Sequence, residues 1–565
     1  MICANCGNVA PIHQAEAENS NHDAVLYARV EELLRLLSPL PPSETLELSQ
    51  MSVKIDKEME GYETMILQLE SRIMYLRTKQ EFLRGRKDRL TSLTAPIRRL
   101  PTEVLSLIFI NLCDDESGDI ILGHARYKCR RSYPFDITSV CHRWREVAIA
   151  TPQIWSHICL DWSLGYYVNL GYLLYPLQMA LERSKGSPLS LYVDMRCNEE
   201  YENPLLELLA TQSHRWVEIR FLYLDAHILP DSLDSDSTFP ALQRLVFRDN
   251  DEDRLSFPSD LTLFRNSPKL RALTIETAPQ DGYASIDQRF PWNQIRHLEL
   301  HLDRCERVFK LLRLCYNLES IIFASFNAAA IRGSDIISDG LEPQTSNASK
   351  VEFRMSAQTE DVEEGSIILS KLVDAITLPK VHTLMFTRDT YPDGSYQSQW
   401  PRSSIDSFFR RSKCSLTTLY IDGHALSDKD ALALLTLTPA LSHLRIQENK
   451  AHSATRSSPT ISPLFLQALH AFGYSSFRAS TAPLVPKLTS LHITTNGKGL
   501  NDTMFTDMVV SRWIPEVDHA DVVGVDRLRS VKLGVFDRTF DEGQRRRLEC
   551  LESVGLKVEV FQKTI

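Results

Sequence analysis

The stretch "PKLRALTI" (residues 268 to 275) places apolar residues at its third, sixth and eighth positions. Leu273 and Ile275 are two apart, the spacing that puts both side chains on one face of a strand and Thr274 on the other. The same spelling returns as "PALQRLVF" (240), "NQIRHLEL" (293), "YNLESIIF" (316), "PKVHTLMF" (379), "CSLTTLYI" (414), "PALSHLRI" (439) and "PKLTSLHI" (486). Looser copies are "SPLSLYV" (187), "RWVEIRFL" (215) and "RLRSVKL" (527). In the better copies the pattern is Pro-x-Leu-x-x-Leu-x-apolar.

Leu189, Val217, Leu242, Leu270, Ile295 and Leu318 follow one another at 28, 25, 28, 25 and 23 residues. This is a leucine-rich-repeat period. Later gaps of 63, 35, 47 and 40 residues require insertions or degenerate copies. Between copies, "DLTLFRNS", "RVFKLLRLC", "SSIDSFFRRS" and "DKDALALLTLT" space their apolar residues as a helix does. Each unit is therefore expected to be a helix followed by a short strand, with the strands in a parallel sheet and the helices covering its other face. Side chains between and just after the apolar pair then line the open sheet face. They are Thr274 and Glu276, Glu299 and His301, Tyr420 and Asp422, Arg445 and Gln447, and His492 and Thr494. On such a face they are candidate contacts for a protein substrate.

Upstream, "LSPLPPSETLELS" (37 to 49) breaks any helix at its prolines and then offers a helix start at Ser43. A heptad seam follows: Ile55, Met59, Tyr62, Ile66, Leu69, Ile73, Leu76, Gln80, Leu83, Lys87 and Leu90, at alternating steps of four and three. Gln80 and Lys87 interrupt it, and Gly61 and Gly85 each weaken the helix by about 1 kcal/mol. The seam fits a second copy of the chain or an amphipathic helix folded back on its own chain.

Between heptads and repeats lies "LPTEVLSLIFINL" (100 to 112), a helix start with Pro101 in its first turn and apolar residues spread around the wheel. Such a helix must be covered on more than one side. After a loop of about 25 residues, Val140, Trp144, Val147 and Ala148 share one face of a second helix, which Thr151 and Pro152 end ahead of Ile154, Trp155 and Ile158. The two tryptophans can cover one side of the first helix. A unit this small leaves the other side open.

The blocks "LPTEVLSLIF", "VCHRWREVA" and "TPQIW" resemble an F-box, whose pattern is Leu-Pro-x-Glu-apolar-apolar, then Val-Cys-x-x-Trp, then a Leu-Trp-like pair. Ile154 stands where the last pair has leucine, and the segment from Asp114 to Phe135 is longer than in compact F-boxes. The order of parts is similar to that of F-box proteins abundant in mushroom-forming fungi. Together with the heptad, the repeats and a polar, aperiodic start read as a disordered tail, this gives an expected α/β chain of four regions: a disordered tail (1–25), a helical or coiled-coil segment (26–95), a helical F-box (96–162) and an irregular leucine-rich-repeat solenoid with a parallel sheet (163–565). The resemblance implies that the F-box binds the Skp adaptor and through it the cullin of a ubiquitin ligase, while the repeats hold a target. The adaptor contacts carried over are Leu100, Pro101, Val104, Leu105, Ile108, Phe109, Val140, Trp144 and Trp155. The alternative is a coiled-coil and repeat scaffold that joins the adaptor without directing ubiquitination.

Composition sets the outer bounds. The 565 residues are 43% hydrophobic and 24% charged, with 63 Lys and Arg against 73 Asp and Glu, a net charge of −10. That balance argues against a general nucleic-acid binder. No apolar run approaches the roughly 20 residues that span a bilayer, and the chain start lacks a signal peptide's pattern. The expectation is a soluble protein of the cytoplasm or nucleus whose 11 scattered cysteines are reduced thiols. Cys3, Cys6, His13 and His22 have the residue types of a zinc site but poor spacing for the second pair. "DNDEDRLSFPSD" (249 to 260) has Arg254 where a calcium loop needs glycine and Asp260 where it needs glutamate. The eight Lys and Arg between Arg77 and Arg99 form a basic stretch facing Glu81 and Asp88, an exposed helix face or a seat for an acidic protein. Phosphate-loop, dinucleotide, nucleophile-elbow and zincin motifs are missing, so neither an enzyme nor a cofactor is expected.

Overall fold

A computed structural model of the chain describes residues 28–35, 39–113, 120–123, 132–161, 171–194, 204–222, 232–233, 236–248, 261–275, 289–301, 311–325, 342–355, 369–388, 400–424, 426–448, 460–472, 483–497, 499–514, 523–536 and 538–562. The tail, with Cys3, Cys6, His13 and His22, and the acidic segment 249–260 lie outside them. The chain divides into two compact units, Met1–Pro101 and Thr102–Ile565.

The first unit is built on one helix, α1 (Pro42–Leu93), 52 residues long and opened by Pro42 at its first position. None of its residues is buried. Its heptad side chains, from Ile55 to Leu90, are all exposed. Gly61 and Gly85 point into open space, so no packing demand keeps a side chain out at either position.

In the second unit, 15 strands form one sheet in which each hydrogen-bonds the next in sequence order, all parallel, from Ile120–Gly123 to Lys557–Gln562. Each of the eleven sequence copies coincides with a strand of it. The alternation predicted from residue type is the alternation of burial. Leu419 and Ile421 are buried on the helix side and Tyr420 between them is not, a pattern that Leu444 and Ile446 repeat around Arg445. Stacked phenylalanines run along the core column, with Phe323, Phe353 and Phe386 at successive 5.4 Å centroid distances.

Four strands escaped the repeat pattern. Lys350–Met355 fills the 63-residue gap, pairing with Ser320–Ser325 on one side and Thr383–Arg388 on the other. Its copy is degenerate because Ala348, fully buried, stands where the others have leucine, isoleucine or valine. Ile120–Gly123 and His157–Asp161 begin the sheet inside the segment read as an F-box, and Lys557–Gln562 ends it. The segment 102–162 and the repeats thus share one compact unit.

Helices back the sheet where the sequence caps them. Ser427, Ser462, Asn501 and Asp541 each accept a backbone N–H from the first turn that follows. "DLTLFRNS" forms a 3-10 turn, Leu261–Asn266, in place of the expected α-helix. Among the described residues, buried and half-buried arginines satisfy inter-unit carbonyls. Arg411 Nη2 donates to Val373 O (2.6 Å) and Ile376 O (2.9 Å). Arg215 Nη1 donates to Ser187 O (3.0 Å), and the fully buried Arg512 bonds the carbonyls of Leu469, Leu484 and Val485.

Candidate functional site

Two surfaces carry the candidate residues. The first is helical: α2 (Thr102–Cys113), α3 (Tyr133–Val140) and α4 (His142–Ile149). At 100° per residue, Leu105, Phe109 and Cys113 fall on one side of α2, and all three are buried. The Phe109 ring packs 5.0 Å from Trp144, which is half-buried. Trp155 is fully buried, its indole N–H donating to Ala148 O (2.8 Å), with Phe135 edge-on at 5.6 Å and the Arg183 guanidinium 4.5 Å above its ring. Leu105, Phe109 and Trp155 are therefore structural core, a correction to their reading as adaptor contacts. They hold the helices together.

The other side of α2 is open. Val104, Leu107, Ile108 and Leu112 form an exposed stripe, with Leu107 58% exposed. Val140, also 58% exposed, and Ile149 are apolar and uncovered at the ends of α3 and α4. Leu107, Leu112 and Ile149 were missed because the sequence shows an apolar helix without showing which side its own chain covers. The second helix is also not continuous. Cys141 is extended (φ −162°, ψ 168°) and accepts the Trp144 N–H on its sulfur, so Val140 ends one helix, exposed, while Val147 and Ala148 on the next are buried. In the first unit, Leu100 is half-buried and Pro101 exposed.

The second surface is the open face of the sheet. Register brings Thr274 beside Glu299, Tyr420 beside Arg445 and then His492, and Asp422 beside Gln447 and then Thr494. Glu276 and the side chain of His301 lie outside the described residues. Two of the predicted contacts are covered. Thr274 is buried, its hydroxyl 3.5 Å from Glu299 Oε2. Thr494 is 1% exposed. A Cβ on Gly534 would meet Phe561 Cζ at 2.8 Å and Thr494 Cγ2 at 3.1 Å, so Phe561 folds over the glycine toward the threonine. Both threonines are thus withdrawn from the exposed surface.

What remains open is charged and largely paired within itself. Arg354 bonds Glu299 (2.9 Å) and Glu352 (3.0 Å), and Glu352, nearly buried, also accepts the Thr387 hydroxyl (2.9 Å). Arg445 lies 3.8 Å from Asp422 and 3.4 Å from the Gln447 amide oxygen. Lys532 pairs with Glu559 (2.8 Å) and sits 5.1 Å above the Phe561 ring. Glu352 and Arg354 were missed because their strand was not recognised.

None of the six cysteines among the described residues is in a disulfide, and burial pushes the Cys113 thiol up to about 11 and the Cys315 thiol up to about 12. Among the described residues no group of three or more His, Cys, Asp or Glu side chains is arranged to hold a metal ion. No described helix is long and apolar enough to cross a membrane. No protein-family model matches the chain, and no curated protein matches it in sequence.

Proposed function

We propose that the chain is the substrate-recognition subunit of a Skp–cullin–F-box ubiquitin ligase, joining the adaptor through its α2–α4 region and a target protein through the open sheet face. The observation that carries this reading is the two-sidedness of α2. One side is the core of its own unit, and the other exposes Val104, Leu107, Ile108 and Leu112 in a single stripe. An apolar stripe of this kind on a helix is what a protein interface buries. On this reading the chain makes and breaks no bond. It raises the concentration of a target near the ubiquitin-charged enzyme.

Co-purification of the full chain with adaptor and cullin tests the proposal. Recovery of both supports the ligase subunit, and recovery of the adaptor alone supports the scaffold. The variant Ile108→Asp is expected to lose both while the sheet stays folded.

A further inference from the structure

The helix α1 divides by charge. In the heptad set by Ile66 and Ile73 at a and Leu69 and Leu76 at d, the seam-flanking e and g positions from 56 to 70 are Asp56, Glu58, Glu63, Met65 and Glu70, acidic except for the one methionine. In the C-terminal half they are Arg72, Arg77, Lys79, Arg84 and Arg86. One end of the seam is flanked by anions and the other by cations.

That polarity decides how a second copy can lie on it. Two parallel helices bring each g position against the e position five residues later in the partner. Glu58 would then face Glu63, Arg72 would face Arg77, and Lys79 would face Arg84, while Lys87 would meet its own copy inside the seam. Every charged pair would repel. An antiparallel pair centred on Ser71 inverts this. Asp56 then faces Arg84, Glu63 faces Arg77 and Glu58 faces Arg86, each twice by the two-fold symmetry. At the centre, Glu70 and Arg72 each meet their own copy, two like-charge contacts against the attractive set. The seam layers become Ile66 on Leu76, Leu69 on Ile73, Met59 on Leu83 and, toward each end, Ile55 on Lys87, which keeps the two lysines apart. Gln80 faces Tyr62, so the two polar groups in that layer meet each other and not an apolar side chain.

The area is sufficient. The helix is about 78 Å long at 1.5 Å per residue, and none of its residues is buried. Centred on Ser71, residues 49–93 of the two copies overlap over about 67 Å, and pairing the seam there covers roughly 1,700 Å², above the roughly 1,200 Å² at which specific interfaces begin. Off the seam, Tyr75 and Phe82 carry cations over their rings, with Lys79 at 5.8 Å and Arg86 at 5.9 Å.

We propose that α1 pairs two copies of this chain in an antiparallel coiled coil centred on Ser71, its acidic half lying on the basic half of the partner. The inference rests on α1 and is independent of the adaptor reading.

The test is a charge swap on the full chain, read by light scattering and sedimentation. The wild type is expected to be a dimer that Ile66→Asp with Ile73→Asp converts to monomer. Glu63→Lys alone is expected to weaken the dimer about tenfold, since it turns both copies of one attractive pair repulsive. Adding Arg77→Glu should restore it, because the reversed charges face each other again. In a parallel dimer Glu63→Lys would relieve the Glu58 contact and tighten association, which overturns the proposed orientation. A monomeric wild type at tens of micromolar, or a dimer indifferent to the Ile66 and Ile73 changes, overturns the pairing. Circular dichroism of each variant establishes that the sheet unit remains folded.

Discussion

Arg354 reaches across an entire strand to bond Glu299, its Nη1 2.9 Å from Glu299 Oε1 with Ile322 on the strand between. The same guanidinium holds Glu352, which is 8% exposed. Part of the open face is therefore already occupied by its own side chains, and a partner there must either accept that network or displace it. Tyr420, Arg445 and His492 lie in a neighbouring stretch and are half-exposed.

Removing Arg354 should expose the cost of that arrangement. Arg354→Ala leaves Glu352 with the Thr387 hydroxyl and without its cation, which is expected to lower stability by about 1–3 kcal/mol. Urea unfolding of the variant, followed by tryptophan fluorescence, measures it. The double variant with Glu352→Gln should recover part of the loss, and equal stability of wild type and Arg354→Ala would show the network to be inert.

The two sides of α2 should separate binding from folding. Ile108→Asp, on the exposed stripe, is expected to leave unfolding within about 0.5 kcal/mol of wild type and abolish capture of the Skp adaptor. Phe109→Ala, one residue on and buried against Trp144, should instead destabilise by about 3–5 kcal/mol. Adaptor pull-down beside thermal melts distinguishes the two.

His424 should make the sheet unit sensitive to acid. Its ring is buried, edge-on to Phe386 and Trp400, and burial first, then the Arg388 guanidinium, pushes its pKa down to about 3 against a hydrogen bond with the Thr387 backbone. The unfolded chain binds this proton below about pH 6.5 and the folded chain does not. Its contribution is therefore whole above that pH and is lost as pH falls toward 3, by up to about 1.4 kcal/mol per unit. His424→Phe should flatten that part of the profile. Equal slopes for wild type and variant in urea unfolding between pH 7 and 5 would contradict it.

Gly61 and Gly85 weaken α1 without a packing reason, since a Cβ at either meets nothing. Replacing both with alanine should raise helicity and stabilise the helix by about 1 kcal/mol per site. The readout is the 222 nm circular dichroism melt. Both positions lie off the seam, so the association state should be retained or strengthened.

The thiols should react in the order of their exposure. Cys550 is exposed, whereas burial holds Cys113 and Cys315 far above neutral pH as thiols. With a thiol-reactive chromophore at pH 8, Cys550→Ser should remove one fast equivalent, and Cys113→Ser none until the protein is unfolded.

Local period was enough to set the parts of this protein that depend on local geometry. Two-residue alternation placed Leu419 and Ile421 inward and Tyr420 and Asp422 outward, because a strand's pleat leaves no other arrangement once one face is buried. The seven-residue period likewise marked α1 as one long helix. Tertiary structure alone decided what covers what. An apolar wheel such as α2 does not say that Leu105 and Phe109 are buried, Phe109 against Trp144, while Leu107 and Ile108 stay bare, since that depends on side chains more than thirty residues away. Nor does period reveal a strand whose leading leucine is Ala348, or the fold of Phe561 over Gly534 that buries Thr494. Arg354 and Glu299 are 55 positions apart, and their bond exists because parallel register sets their strands side by side with a single strand between. Contacts of that range follow from the order of strands in the sheet, and a sequence read in windows of one helix or one strand does not contain them.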